Sequence, residues 1–148
     1  MNKEKLRSLQ IIHLALTLGS LVYIFITGMI AFKPLHLYPA EEEKVFVGVA
    51  IGMMLLMAVL SRIIFNGRLQ KAKTENSNEA KMDIYRAALI VNLAMLEGAT
   101  LFCCTVTMIT GSYISVALAF LGSLLLLLQK PTELGVMEDL GIPAERNK

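Results

Sequence analysis

One acidic side chain, Glu97, lies inside a long apolar run, where a carboxylate is costly. It follows Arg86 by eleven residues in a stretch that is otherwise almost free of charge. If this stretch is a helix that crosses a bilayer, the carboxyl lies about 16 Å into a hydrocarbon core of about 30 Å. A charge at that depth costs about 3 kcal/mol or more unless it is paired, hydrated or protonated. The pattern indicates either a path for protons or ions, or a structural hydrogen bond to a neighbouring helix.

Two stripes of polar residues recur at spacings of three and four, so each stripe lies on one helical face. The stripe around the acid consists of Glu97, Thr100, Cys104 and Thr107. The stripe in an earlier apolar run consists of Gln10, His13, Thr17 and Ser20. If the stripes face each other, they form a polar lane from one membrane surface to the midplane, with His13 as a relay to Glu97. The alternative is that these groups satisfy one another across a helix interface.

Four apolar stretches provide the elements that would position these residues, since a span takes about 20 residues. They cover residues 8–32, 45–65, 86–110 and 113–129, approximately. Hydrophobic residues make up 55% of the 148-residue chain, and the charged residues collect outside these stretches. The sequence therefore predicts an all-α membrane protein, with one four-helix transmembrane domain over 1–148. Residues 66–85 are predicted to be a polar loop, and residues 130–148 a polar tail.

The distribution of basic residues predicts the orientation. Twelve of the fourteen Lys and Arg residues lie in the N-terminal segment, around the 66–85 loop or in the tail; the exceptions are Lys33 and Lys44. Because loops rich in Lys and Arg stay in the cytoplasm, we expect both termini and the 66–85 loop there. The expected location is the inner (plasma) membrane, as a multi-pass protein.

Two shorter signals concern the loop and the tail. Asn76, with Glu79 three residues later, predicts a capping box at the start of the third helix. The tail predicts a brief amphipathic helix with Leu134, Met137 and Leu140 on one side, ending at Gly141.

An internal repeat and a set of small residues concern helix packing. Arg7, Ile11, Ala15 and Gly19 recur at a constant offset of 79 as Arg86, Ile90, Ala94 and Gly98. This predicts duplication of a helical hairpin, with two tandem hairpins related by an axis along the membrane normal. Small residues spaced by four are typical of close helix packing in membranes. The predicted packing residues are Ala15, Gly19, Gly48, Gly52, Ala94 and Gly98, and the fourth span repeats the spacing at Ser115, Ala119 and Ser123. Such residues serve packing within the bundle, or assembly as a homo-oligomer or with a larger membrane complex.

The sequence gives little support for metal binding, catalysis or nucleic-acid binding. Met53, Met54 and Met57 are more typical of packing than of metal binding, and the adjacent Cys103 and Cys104 are typical of apolar filler. There is no phosphate-binding glycine loop, no nucleophile paired with a base and no zinc spacing. A formal charge of +2 does not indicate nucleic acid. We expect a non-enzymatic protein with no metal, no cofactor and the lipid bilayer as its first partner.

The segment AMLEGATLF, residues 94–102, resembles the acid-bearing helix of rotary ATPase proteolipid subunits. In that family the acid lies on the second helix of a hairpin whose polar loop faces the cytoplasm, with the termini outside. Glu97 lies on the first helix of its predicted hairpin, and the termini are predicted inside, so the chain is not assigned to that family. The whole chain resembles the uncharacterised four-span proteins of bacterial inner membranes, and that resemblance implies no activity.

Two hypotheses follow. The first is a small integral membrane protein that acts by helix packing, as an oligomer or an accessory subunit of a membrane complex. The second is a small transporter or proton-coupled membrane subunit that uses Glu97.

Overall fold

The computed structural model describes residues 3–31 and 40–142, and this part of the chain is helical apart from short connections. Five helices follow one another: α1 (Lys3–Ala31), α2 (Ala40–Thr74), α3 (Asn78–Thr110), α4 (Tyr113–Leu128) and α5 (Glu133–Leu140). The prediction of an all-α fold is confirmed for these residues. Residue 32 of the first predicted span, residues 33–39 of the connection after it and residues 143–148 of the tail lie outside the described residues.

Three of the helices, α1, α2 and α3, are long and apolar enough to cross a membrane. α4 and α5 meet this criterion only as a pair, and they are bent by 78° at the break between them. α4 alone has 16 residues, a length of about 24 Å. The described chain therefore contains three candidate spans, or four if the bent pair forms one.

α3 is the central helix and packs against α1, α2 and α4. Of the 18 residues in the most apolar part of α3, 50% are buried inside the protein, compared with 22% for the same length of α1 and of α2. α4 also packs against α1 and α2, whereas α1 and α2 share little contact. The sequence predicts tandem hairpins, in which α1 pairs with α2 and α3 pairs with α4. In the structure α2 instead packs most extensively against α3. The three-residue connection 75–77 holds those two helices together.

α1 and α3 run parallel and nearly in register. Lys5 Nζ donates to Asp83 Oδ1 at 2.6 Å, and Arg86 Nη2 donates to Ser8 Oγ at 3.1 Å. Both pairs are 78 residues apart, one less than the offset of the repeat. Residues matched by the repeat therefore lie at nearly the same level on neighbouring helices. The duplication itself stays a prediction.

One end of the bundle collects the polar ends of four helices. Gln10 Nε2 donates to the carbonyl oxygen of Pro131 at 3.1 Å, which ties α1 to the end of α4. The rings of Phe65 and Tyr85 meet edge to face with centroids 5.7 Å apart, which ties α2 to α3 at the same level. α1 and α3 begin near this level, and α2 and α4 end near it, so successive helices run in opposite directions. It is termed the basic end because it carries Lys5, Arg7, Arg62, Arg86 and Lys130.

The segment predicted as the loop 66–85 is helical except at residues 75–77. α2 and α3 thus continue past the apolar stretches as a polar helical hairpin. Ser77 caps α3, because its backbone is extended (φ −97, ψ 130) and its Oγ accepts from the backbone N–H of Glu79 at 3.3 Å. The prediction of Asn76 as the cap is wrong by one residue.

α5 ends at Gly141 as predicted, where a φ of 64 suits glycine. Its buried residues are Val136 and Leu140, whereas Leu134 is 74% exposed. The predicted apolar side is therefore wrong for Leu134. The bend after α4 directs the other side of α5 toward α2 and α3, which it contacts.

The outer surfaces of α1 and α2 carry an apolar belt of matching height. Exposed large apolar side chains run from Ile11 to Ile30 on α1 and from Val45 to Ile63 on α2. The two runs cover about 28 Å and about 27 Å of helix axis, close to the hydrocarbon thickness of about 30 Å. Soluble monomers rarely expose contiguous apolar surface of this extent, and these helices are compatible with a membrane protein.

Candidate functional site

In the polar stripe of α3, Glu97 differs from the other members in its burial. The other three members of the stripe are fully buried, whereas Glu97 is only partly buried. The hydroxyls of Thr100 and Thr107 donate to carbonyl oxygens of their own helix, those of Leu96 and Cys103, at 2.8 and 2.9 Å. These two hydroxyls are therefore satisfied within α3, and the acid remains at the surface.

The polar stripe of α1 faces α4. His13 Nε2 lies 2.8 Å from the carbonyl oxygen of Leu126, and Ser20 Oγ lies 3.0 Å from Ser123 Oγ. Thr17 Oγ1 donates to the carbonyl oxygen of His13 within α1 at 2.8 Å. The buried polar groups of α1 thus hold α4 in place, and the hydrogen bonds of this stripe run to α4 and to α1 itself. The predicted facing of the two stripes stays a prediction.

The structure brings Thr17 to His13 but links neither of them to Glu97. The carboxyl of Glu97 is level with Gly19, and His13 precedes Gly19 by six residues, about 9 Å along the helix axis. Among the residues that the structure describes, no hydrogen bond joins the two stripes. A relay from His13 to Glu97 stays a prediction without a continuous hydrogen-bonded path here.

Glu97 lies on the outer surface at the seam between α1 and α3. Its Oε1 lies 3.8 Å from the position that a Cβ would take at Gly19. Gly19 lies within two residues of the middle of the apolar belt of α1, so the carboxyl lies near mid-height of the belt. Within residues 3–31 and 40–142 no hydrogen bond or ion pair reaches it.

All six small residues predicted to pack helices are exposed in the structure: Ala15, Gly19, Gly48, Gly52, Ala94 and Gly98. At three of the glycines an added Cβ meets nothing within 4 Å, and at Gly19 it meets only Glu97. The members on α1 and α3 adjoin Glu97, and together they are termed the outer patch: Ala15, Gly19, Ala94, Gly98 and Glu97. A packing role for them requires a helix from outside the described chain and stays a prediction.

The close helix contact within the bundle lies instead at Gly122, which the spacing of small residues did not select. A Cβ there would lie 2.1 Å from Thr100 Oγ1 and 2.9 Å from Met54 Cε. The absence of a side chain at Gly122 thus lets α4 approach α3 and α2. Its neighbour Ser123, which belongs to the predicted spacing in α4, is 1% exposed.

An apolar groove of about 480 Å³ continues the outer patch between α3 and α2. Met53 and Met57 form one side of it, and Ala94 and Gly98 belong to both the groove and the patch. Within the described ranges, no group of three or more His, Cys, Asp or Glu is placed to hold a metal ion. The expectation of no metal and no cofactor stays a prediction.

A second polar cluster, which the sequence reasoning missed, surrounds a cavity of about 180 Å³ at the bend between α4 and α5. It is termed the elbow cavity, and its charged and hydrogen-bonding wall includes Arg62, Tyr85, Asn92, Gln129, Lys130 and Asp139. A signal for it existed in the sequence, because Asn92 is a lone amide within an apolar run.

Two hydrogen bonds hold the wall of the elbow cavity. Tyr85 Oη donates to Asp139 Oδ2 at 3.2 Å, which joins α3 to α5. Asn92 Nδ2 donates to Gln129 Oε1, which joins α3 to the end of α4. The bent pair α4–α5 is thereby attached to the central helix on both sides of the bend.

The chain matches none of the known protein families, curated proteins or solved structures with which it was compared. The described residues define its class as an all-helical protein with three or four candidate membrane spans.

Proposed function

We propose that the chain is a small multi-pass integral membrane protein that acts without catalysis, by packing its helices against those of a second copy. In this proposal α1, α2, α3 and α4 each cross the bilayer. The observation that carries it is the outer patch, where an unpartnered carboxyl lies at mid-height among small exposed residues. The apolar belt supports the membrane location, and the side-by-side packing of α4 with α1 and α3 supports a fourth span despite its 16 residues.

Both termini lie in the cytoplasm in this proposal. The support is that most Lys and Arg residues belong to segments that meet at or beyond the basic end, and basic segments are retained inside. A cysteine tag at either terminus is therefore expected to resist a membrane-impermeant maleimide in intact cells and to react after permeabilisation. Labelling of either tag in intact cells would contradict the orientation.

A second copy is the occupant that suits the outer patch. In a symmetric dimer about an axis along the membrane normal, Glu97 of each copy lies at the same depth. One protonated carboxyl then donates to the other, which provides a partner in a medium where unpartnered polar groups are costly. The small residues on both sides permit close approach of the two surfaces. The groove beside Ala94 and Gly98 leaves room for side chains of the second copy.

The test compares Gly98→Leu with Gly48→Leu. Both glycines are exposed on apolar helices, and a Cβ at either position meets nothing within 4 Å, so neither change strains the monomer. Only Gly98 belongs to the outer patch. We expect Gly98→Leu to weaken dimerisation by about tenfold or more, corresponding to about 1.4 kcal/mol, and Gly48→Leu to leave it unchanged. The measurement is the dependence of energy transfer between labelled copies on the protein-to-lipid ratio.

A wild-type protein that stays monomeric at every protein-to-lipid ratio would contradict the dimer. If that monomer instead retains another membrane protein during purification, and Gly98→Leu releases it, the occupant of the patch is a subunit of a larger membrane complex.

The second candidate is a small transporter or proton-coupled membrane subunit, which the unpartnered state of the Glu97 carboxyl favours. The Glu97→Gln variant separates the two functions in the same proteoliposomes. Glutamine both donates and accepts hydrogen bonds, so the dimer is expected to persist, but it cannot take up and release a proton. A pH-driven flux that Glu97→Gln abolishes would support transport, and a pH-indifferent wild type would argue against it.

A further inference from the structure

The elbow cavity contains a buried hydrogen-bonding group that has no partner. Asn92 is 3% exposed, and its Oδ1 forms no hydrogen bond, whereas its Nδ2 is engaged by Gln129. If the oxygen and nitrogen of both amides are exchanged, Nδ2 of Asn92 is left unpaired instead. One end of this amide is therefore unused in either assignment. A hydroxyl suits both, because it donates to an oxygen and accepts from an N–H.

The charges around the cavity favour an anion. Arg62 and Lys130 both line it, and among the described residues neither has an ion pair or a hydrogen bond. Asp139, the carboxylate in the wall, already accepts from Tyr85. Two cations and one carboxylate leave a formal charge of +1, which one negative charge balances. A phosphodiester carries one such charge, and the guanidinium and ammonium groups are the side chains that bind it best.

Size and position narrow the class of ligand. A volume of about 180 Å³ corresponds to about six water molecules at ~30 Å³ each. A group the size of glycerol phosphate fits this volume, whereas a nucleotide is too large to be enclosed by it. Arg62 directly precedes Ile63, the last exposed apolar residue of the belt on α2, so the cavity lies at the level where lipid headgroups begin.

We infer that the elbow cavity binds a hydroxyl-bearing phosphate ester, namely the headgroup of an anionic phospholipid such as phosphatidylglycerol. The phosphodiester lies between Arg62 and Lys130, and a glycerol hydroxyl meets the unused end of the Asn92 amide. Soluble glycerol phosphate has the same chemistry, and the test separates the two sources.

The experiment titrates the purified full chain, in an uncharged detergent, with short-chain phosphatidylglycerol, phosphatidylcholine or soluble glycerol phosphate. Binding is read by native mass spectrometry and by the shift in melting temperature. We expect phosphatidylglycerol to bind at least tenfold more tightly than phosphatidylcholine, which has no hydroxyl in its headgroup. Arg62→Gln and Lys130→Gln are each expected to weaken phosphatidylglycerol binding by about tenfold, the usual effect of losing one charge-assisted hydrogen bond. Arg68→Gln and Lys81→Gln, also beyond the apolar belt but outside the cavity, are the matched controls.

Asn92→Leu tests the amide. Its melting temperature without lipid shows whether the variant is folded. A folded variant is expected to show a smaller preference for phosphatidylglycerol over phosphatidylcholine, because the glycerol hydroxyl loses its partner while Arg62 and Lys130 still favour the anionic headgroup. Arg62 and Lys130 are exposed, so their variants test the inference even if Asn92→Leu does not fold. Wild-type affinity in both cation variants, or equal weakening by the controls, would overturn it. Binding of glycerol phosphate with the same dependence on the variants would support the inference with a soluble ligand as the source.

Discussion

Gly122→Ala is expected to lower the free energy of unfolding by about 2 kcal/mol, although alanine is the better helix former by up to about 1 kcal/mol. The added Cβ would lie 2.1 Å from Thr100 Oγ1 and 3.2 Å from Thr100 Cβ. The Thr100 hydroxyl is bonded to the carbonyl oxygen of Leu96, so it cannot turn away without losing that bond. Overpacking of this kind costs about 1–3 kcal/mol, because α4 must move away from α3. The measurement is unfolding of the purified protein in mixed micelles, followed by helical circular dichroism.

Gly48→Ala is the matched control, because a Cβ at Gly48 meets nothing within 4 Å and Gly48 lies outside the outer patch. It carries the same gain in helix propensity and is expected to be neutral or slightly stabilising. Thr100→Ala removes the nearest obstructing atom, so the double variant Gly122→Ala/Thr100→Ala should recover part of the loss. Equal stability of the Gly122→Ala and Gly48→Ala variants would contradict the packing at this contact.

His13→Ala is expected to lower the free energy of unfolding by roughly 3 kcal/mol. The imidazole is 5% exposed, and its Nε2 lies 2.8 Å from the carbonyl oxygen of Leu126 on α4. Because a carbonyl only accepts, Nε2 must carry the proton in this hydrogen bond. Removing the ring leaves a cavity between α1 and α4, which for large side chains costs about 3 kcal/mol or more. The lost interhelical hydrogen bond adds about 0.6 kcal/mol.

Leu14→Ala is the control for His13→Ala, since Leu14 is the next residue of α1 and is 56% exposed. Its truncation is expected to change the free energy of unfolding by less than about 0.5 kcal/mol. His13→Gln retains a donor and should lose less stability than His13→Ala. If His13→Ala and Leu14→Ala unfold alike in the same micelles, His13 does not hold α4 against α1.

The helices themselves could be predicted from the sequence because their signals are local. Most ends of the apolar stretches are marked by charged residues. The described residues of three of the four stretches lie in long apolar helices of the structure. Gly141 ends α5 as predicted, because a left-handed backbone at that position favours glycine. The polar segment 66–85 was predicted as a loop for its charge, but Lys, Glu and Ala also favour helices. The structure continues both helices to within three residues of each other.

The candidate sites were predicted less completely, because they depend on contacts between distant segments. The stripe at His13 was identified, but its partner is Leu126 on α4. Asn92 and the segment around Lys130 were not connected by any spacing, and only the bend between α4 and α5 brings them to one cavity.

The amino-acid sequence alone determined which segments are apolar helices and where their polar ends lie, because hydropathy and charge act along the chain. The tertiary structure decided which face of each helix is buried. A helix that is apolar on every side carries little information about its inward face. Gly19 and Gly122 are equivalent in a local sequence window, yet one is exposed beside Glu97 and the other lies at the tightest contact of α4. The environments of the two glycines differ because side chains from other helices pack against Gly122, and no single segment of the sequence contains that information.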